Sequence, residues 1–380
     1  MKPTIFFYVQ HLLGVGHQMR AGLLARAMVS AGFDVHYVSG GFNEMARPIN
    51  GVTFHQLAPI RSSDAGFSSL VGENNNIVDD TYWSTRMTQM QKIVTAIKPN
   101  AYLIEGFPFA RRKFSQEILT LLEGAKTQKT PVFCSVRDIL VPPSSEAKSN
   151  LAIERAKHYF TKILIHGDEN FIPLTASLPS IKGISAKLYY TGYVAPEPIK
   201  ATRLKEGEII VSAGGGAVGE TLLQTALKVA LKKACPTQVW RFLLGPNLPN
   251  VCVNALKKHQ SNSIIIEAAR PDFQKLLAKS KLSISQAGYN TVMDLMVTKT
   301  PSVLVPFGKN RESEQPMRAN LLEKHQLSVI LKETELNPQT LSDAIEAALL
   351  LPTIDTVPFQ LDGSKKSARY IKTYLTNRGA

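Results

Sequence analysis

The chain is poor in cysteine. Three occur in 380 residues, Cys134, Cys235 and Cys252, widely spaced and with no Cys-x-x-Cys among them. That argues against a disulfide framework and a cysteine-based zinc site, and it fits a reducing cytoplasm. Long apolar runs are missing too. No stretch of about 18 apolar residues exists, so no membrane-spanning helix is expected. The apolar segment at residues 5–9 reaches Gln10-His11 too soon for a secretory signal and reads as a first core strand. No Asp-x-Asp occurs, which weakens any metal bridge from carboxylates to a diphosphate. No Gly-Lys-Ser/Thr follows a glycine loop, so a Walker phosphate loop is excluded. What stands in excess is positive charge, with 44 Lys and Arg against 30 Asp and Glu, a net of +14. It gathers at Arg111-Arg112-Lys113 and at Lys365, Lys366, Arg369, Lys372 and Arg378. Such an excess favours an anionic partner, either a phosphorylated substrate, an acidic lipid surface or nucleic acid, although each cluster alone reads as a solvated face.

The first half alternates strands and helices. Strands are expected at 5–9, 35–39, 53–57, 101–105, 132–136, 162–166 and 187–191, and helices at 19–31, 81–98, 114–124 and 146–160. Residues 61–80 are polar and without periodicity and read as a loop. Residues 192–206, with Pro196 and Pro198, form the best boundary. The pattern then restarts. Strands are expected at 209–212, 240–244, 264–267, 282–285, 302–305 and 328–331. Helices are expected at 219–233, 272–278, 290–297, 315–324, 338–350 and 364–375. The expected fold is α/β: two doubly wound, Rossmann-like domains, each with a parallel sheet, facing a cleft. Their limits are 1–193, a linker at 194–206, 207–358, and a terminal segment at 359–380.

Three segments carry chemistry. Gly14-Val-Gly16-His17 follows the first strand and opens a helix. It lacks the third glycine of a dinucleotide fingerprint, since Met19 stands there, and the second strand ends in Ser39-Gly40-Gly41 with no ribose-binding acid. A nicotinamide or flavin cofactor is therefore disfavoured. Beside a helix N-terminus His17 should be neutral and able to accept a proton, the plain alternative being a solvent-facing helix residue. Gly214-Gly215-Gly216 with Gly219 follows strand 209–212 and offers close backbone approach, with N–H groups suited to a diphosphate. Ser285-Gln-Ala-Gly288 leads into a helix whose Asp294 can accept from two neighbouring hydroxyls, and Glu314-Gln315 on a later loop can read more hydroxyls. Phosphate, diol and sugar together describe a nucleotide-sugar site. Arg137-Asp138, at the end of strand 132–136, are candidates for acceptor contact. Asp79-Asp80, Asp168-Glu169 and His166 read as solvated or structural.

These residues resemble the GT-B glycosyltransferases, in particular the MurG-like group of family 28 and a branch known as predicted glycosyltransferases. The likeness is specific at Gly14-Val-Gly16-His17, at Gly214–Gly216 with Gly219, at Gly288 with Asp294, at Glu314-Gln315 and at the Thr191-Gly192-Tyr193 junction. It implies His17 as the base, Gly214, Gly215, Gly216, Gly219 and Gly288 around the diphosphate, Asp294 on the ribose and Glu314 with Gln315 on the sugar. It further implies a UDP-linked donor, an inverting transfer without metal or cofactor, and a last helix that packs back on the first domain. A lipid-linked acceptor and a cytoplasmic enzyme touching an anionic membrane follow from the same likeness. Asp294 stands where the group has Glu, and the His17 loop is shorter in glycine. Two other readings remain: a non-hydrolysing sugar-nucleotide epimerase of the same fold, and a nucleic-acid-binding protein. The second lacks any aromatic-interleaved basic stripe.

Overall fold

A computed structural model describes residues 2–12, 16–42, 48–63, 69–199, 207–214, 219–233, 238–308 and 313–379. The chain forms two compact units, Met1–Val194 with Phe359–Ala380, and Ala195–Pro358. Unit 1 contains β1 (Thr4–Val9), α1 (Gly16–Ser30), β2 (Asp34–Ser39), β3 (Val52–Gln56), β4 (Arg61–Ser62), β5 (Leu70–Val71), α2 (Asp80–Ile97), β6 (Ala101–Glu105), α3 (Ser115–Thr127), β7 (Val132–Arg137), α4 (Glu146–Tyr159), β8 (Lys162–His166) and β9 (Leu188–Tyr190). Seven strands form one sheet in the order β3-β2-β1-β6-β7-β8-β9, with every pair parallel. Strands such as Ile5 to Val9 are apolar without alternation because helices cover both faces. All five of those residues are fully buried.

Unit 2 contains β10 (Ile209–Ser212), α5 (Glu220–Lys233), β11 (Trp240–Leu244), α6 (Asn250–Lys257), β12 (Ile264–Ala268), α7 (Phe273–Lys279), β13 (Leu282–Ser285), α8 (Tyr289–Thr298), β14 (Ser302–Leu304), α9 (Glu314–Lys324), β15 (Val329–Ile330) and α10 (Pro338–Leu350). Its six-stranded sheet has the order β12-β11-β10-β13-β14-β15, again parallel throughout. The expected α/β class with two parallel sheets is what the chain adopts.

Each sheet reverses its strand order at one place, between β1 and β6 in unit 1 and between β10 and β13 in unit 2. Loops leaving the carboxyl ends of those neighbours part to opposite faces, which leaves room for a ligand.

Two expectations change. Residues 61–80 are not all loop. Arg61–Ser62 and Leu70–Val71 pair antiparallel, and α2 begins at Asp80, capped by the Asp79 carboxylate, which accepts from the Tyr82 N–H. Asp79 thus caps the start of α2. Helix α6 was not foreseen, because the prolines and asparagines of Gly245-Pro-Asn-Leu-Pro-Asn250 read as turn. It forms because Cys252 and Leu256, one turn apart, bury one face.

The last helix, α11 (Gly363–Gly379), returns to unit 1 and packs on α1. Ala368 and Ile371 join the core formed by Ala21, Leu24 and Met28. Lys372 Nζ donates to the Ala31 carbonyl at 2.7 Å, and Tyr370 stacks on Tyr189 with ring centroids 4.0 Å apart. The chain re-enters where it left. Tyr193 N–H donates to the Gln360 carbonyl at 2.7 Å, and Gly363 N–H to the Tyr193 carbonyl at 2.9 Å. Glycine is required at 363, since a Cβ there would lie 2.2 Å from the Gly192 carbonyl oxygen.

A buried ion pair braces the loop after β1. Arg86 of α2 and Glu117 of α3 are both fully buried and joined by two bonds of 2.8 Å. Tyr8 donates to the same carboxylate. Arg86 also donates to the Gln10 side chain at 3.0 Å and the Gly40 carbonyl at 3.0 Å. Removing one partner strands the other charge in the core, at a cost of about 3–5 kcal/mol. Arg86→Met is therefore expected to destabilise unit 1 by that amount, and Arg86→Met with Glu117→Leu to cost less than the single substitution. Urea unfolding reads both. Equal losses in the single and double variants would show that the charges do not depend on one another.

Candidate functional site

At the reversal in unit 1, the end of β6 meets the start of α1. Glu105 closes β6 and is nearly inaccessible, its side chain 2% exposed. Its Oε1 lies 2.8 Å from His17 Nδ1 and also accepts from Arg20 of α1. A carboxylate oxygen only accepts, so Nδ1 carries the ring proton and Nε2 keeps its lone pair. Arg20 lies 3.3 Å from Nδ1 as well, but two donors do not bond, and its partner is Glu105. The His17 side chain is 27% exposed, so the ring reaches solvent while its partners do not.

Burial lowers the imidazole from 6.5 to about 4. Glu105 raises it, while Arg111 and Arg20 lower it. Burial alone would raise Glu105, but His17, Arg20 and Arg111 together hold its carboxyl well below the usual range. At neutral pH the pair is therefore a carboxylate and a neutral imidazole whose open nitrogen can take a proton.

The surroundings are built from the same edge. Gln10 donates to the His11 carbonyl at 2.8 Å and the Ile60 carbonyl at 3.2 Å. Arg111 donates from Nε to the Gln10 carbonyl at 2.5 Å, which removes it from the expected surface cluster with Arg112 and Lys113. Arg137 ends β7 and donates to the Ile139 carbonyl at 3.0 Å, and Asp138 is fully buried. Gly16 begins α1, while Gly14 lies outside the described residues. His166 is satisfied by Ser135 at 2.8 Å and Thr191 at 3.0 Å, and burial lowers it to about 3. Asp168 accepts from the Gln360 N–H at 3.3 Å and so belongs to the chain crossing.

At the reversal in unit 2, Ser212 and Ser285 are register partners at the ends of β10 and β13. Gly214 follows the first with φ +70°, and Gly215 and Gly216 lie outside the described residues. Gly219 has φ +119°, and a Cβ there would lie 2.3 Å from the Ala213 Cβ, so Gly219 lies against Ala213. Gly288 caps α8. Among the described residues, and apart from each glycine and its chain neighbours, no atom lies within 4 Å of where a Cβ would stand on Gly288 or Gly214. Main-chain N–H groups at the start of α8 thus border open space, an arrangement suited to an anion.

Asp294, in the second turn of α8, accepts from Gln274 Nε2 at 2.8 Å. Burial raises its carboxyl to about 7, against the lowering effect of Gln274. Glu314 takes an internal partner. It accepts from Arg318 at 2.9 Å, and the two side chains are 6% and 1% exposed. Arg318 also donates to the Ala287 carbonyl at 3.0 Å and lies over the Tyr289 ring at 5.5 Å. Glu314 therefore holds the guanidinium that fixes the turn before α8. Gln315 Oε1 accepts from the Phe307 N–H at 3.1 Å.

Sequence reasoning missed Glu105, Arg20, Arg111, Gln274 and Arg318. Two of them had a signal. Glu105 is a carboxylate closing an apolar strand just before a glycine. Arg318 stands four residues after Glu314 on one helix face. Among the described residues, no group of three His, Cys, Asp or Glu could hold a metal ion, and no helix is long and apolar enough to cross a membrane.

Residues 209–355 match the glycosyltransferase family 28 C-terminal domain. A UDP-N-acetylglucosamine–N-acetylmuramyl-(pentapeptide) pyrophosphoryl-undecaprenol N-acetylglucosamine transferase of Clostridium perfringens is 27% identical over 148 residues, 39% of this chain and 40% of that one. The namesake of Clostridium botulinum strain Langeland is 22% identical over 331 residues, 86% of each chain. The chain thus spans about 40% of the length of the first of these relatives. Among solved structures, a calicheamicin glycosyltransferase superposes with a TM-score of 0.65 at 13% identity, over 99% of each chain. MurG of Acinetobacter baumannii does so at 0.57 and 13% identity, over 98% of this chain and 100% of that one. The family match lies within unit 2, and the chain has the fold of these GT-B glycosyltransferases.

Asp294 offers a test free of any substrate. Its folded pKa of about 7 lies above the ordinary 3.8. Folding is therefore opposed as pH rises from about 4 to 7, and the full penalty stands above 7. Asp294→Asn should leave stability unchanged near pH 3 and raise it above pH 7 by on the order of 4 kcal/mol. Denaturation at the two pH values measures it. A variant no more stable at pH 8 than the parent would mean that the carboxylate carries no burial penalty.

Proposed function

We propose that the chain is a glycosyltransferase moving a sugar from a nucleoside-diphosphate donor, UDP-linked, to an acceptor hydroxyl, with inversion and without metal or cofactor. The observation that carries this reading is the neutral His17, oriented by a buried carboxylate at the reversal of one sheet. The glycine turn, helix start and Asp294 at the reversal of the other sheet complete it. Nε2 of His17 takes the proton of the acceptor hydroxyl as its oxygen bonds to the anomeric carbon. The bond from that carbon to the diphosphate breaks, and the departing oxygen gains charge. Main-chain N–H groups around Gly214–Gly219 and the N-terminus of α8 stabilise that charge. Asp294 receives ribose hydroxyls, and Gln315 donates to the sugar with Glu314 behind it. A single displacement by the acceptor inverts the anomeric centre.

UDP is favoured because relatives matched over most of the chain carry UDP-N-acetylglucosamine in their names. A lipid-linked acceptor is proposed on the same ground. Arg112, Lys113, Lys365 and Arg369 are exposed and would each add about 1 kcal/mol near an anionic surface. We place the enzyme in the cytoplasm, touching the inner membrane face. The relatives are transferases, and neither the epimerase nor the nucleic-acid-binding reading gains support from them.

A UDP sugar at a hundred times its dissociation constant should stabilise the protein by about 2.7 kcal/mol. His17→Ala should keep that stabilisation and lower turnover about 10²–10⁴-fold. Glu105→Gln should also lower turnover, because the ring is no longer held in one tautomer. Near-parental turnover in His17→Ala would remove it from the mechanism. In the same assay activity should survive EDTA. Loss with EDTA and recovery with magnesium would refute the metal-free leaving-group step.

A further inference from the structure

The loop after β6 contains Arg111-Arg112-Lys113, three consecutive cations that behave differently. Arg112 and Lys113 are exposed. The Arg111 side chain is 11% exposed, and its backbone takes the left-handed conformation, φ +60°. That conformation is uncommon outside glycine, asparagine and aspartate, and it persists where surrounding contacts hold it. Here it turns the guanidinium inward. Nε donates to the Gln10 carbonyl at 2.5 Å, and the NH2 nitrogen stands 4.0 Å from Glu105 Oε2. Among the described residues that buried oxygen has no hydrogen-bond partner, while Oε1 serves both His17 and Arg20.

We propose that Arg111 is a positioning residue of the His17–Glu105 pair, tying the loop after β1 to the loop after β6 and facing the open oxygen of Glu105, so that Oε1 stays turned to the His17 ring. The proposal rests on the reading of His17 as a base. Charge supports it. Among the described residues, Tyr37 from β2 and Cys134 from β7 feel the charge of Glu105, His166 from β8 feels Glu105 and Arg20, and Arg111 feels Tyr8 from β1, Arg20 from α1 and Arg137 from β7. Burial pushes Tyr8, Tyr37 and Cys134 up and His166 down, so all four are neutral near pH 7. The remaining charges are Glu105 and the guanidiniums of Arg20, Arg111 and Arg137, and Arg111 is the largest cationic influence holding His17 unprotonated.

The test is NMR titration of the His17 ring in the full chain without substrate, set beside turnover and its pH profile. The parent should titrate near pH 4. Arg111→Met should raise that midpoint by about one unit or more. It should also move the acid limb of turnover by the same amount and lower kcat about tenfold or more, with UDP-sugar stabilisation unchanged. Arg111→Lys keeps the charge and loses the fork, so its midpoint should return towards the parental value while turnover recovers only in part. Arg112→Met should leave the His17 midpoint at the parental value. An unmoved His17 midpoint in a folded Arg111→Met variant would overturn the proposal. So would an Arg111→Lys variant equal to the parent in both readouts, which keeps the test decisive if the methionine variant does not fold. The titration needs no donor, so a protein that transfers no sugar yet shows the shifted midpoint would sink the transferase reading and leave the role of Arg111 towards His17 standing.

Discussion

A parallel sheet built from right-handed crossovers reverses its strand order at one seam, and the loops leaving that seam have no neighbour to pack against. Both sheets of this protein obey that constraint, and both sets of chemistry-bearing residues lie on it. In unit 1 the seam joins β1 to β6 and brings α1 to the end of a strand that closes in Glu105. In unit 2 it joins β10 to β13, so two glycine turns leave neighbouring strand ends. The seam thus decides where a side chain can meet solvent with buried partners behind it.

Support behind each seam is polar and buried. Arg86, held by Glu117, fixes the Gln10 side chain, and Arg111 donates to the Gln10 main-chain carbonyl. In unit 2 Arg318, held by Glu314, fixes the Ala287 carbonyl just before α8. Each buried guanidinium restrains a loop that no strand partner restrains. Such networks are costly to leave half-made, and so they enforce one geometry.

Much of this was legible in sequence. A continuous apolar run such as residues 5–9 announces a buried parallel strand, and the glycine turn that follows it marks a helix start. The layout of two parallel sheets followed, and so did the family resemblance. The short strands β4 and β5 were not legible, because two-residue strands carry no period. Helix α6 hid behind prolines and asparagines. The partners of His17 were hidden by distance, since Glu105 lies 88 positions away. The three cations at 111–113 look alike as letters, and only the left-handed backbone at Arg111 separates the one that turns inward. Glu314 looked like a ligand-reading acid, and it is the arginine one turn later that engages it.

The central claim is that the nucleotide belongs to the seam of unit 2 while the seam of unit 1 carries the base. Hydrogen exchange with and without UDP tests it most directly. Backbone amides of residues 213–219 and 286–294 should slow strongly on addition of UDP, with little change at residues 10–20. Protection centred on residues 10–20, or none at 213–219 and 286–294 at saturating UDP, would contradict it.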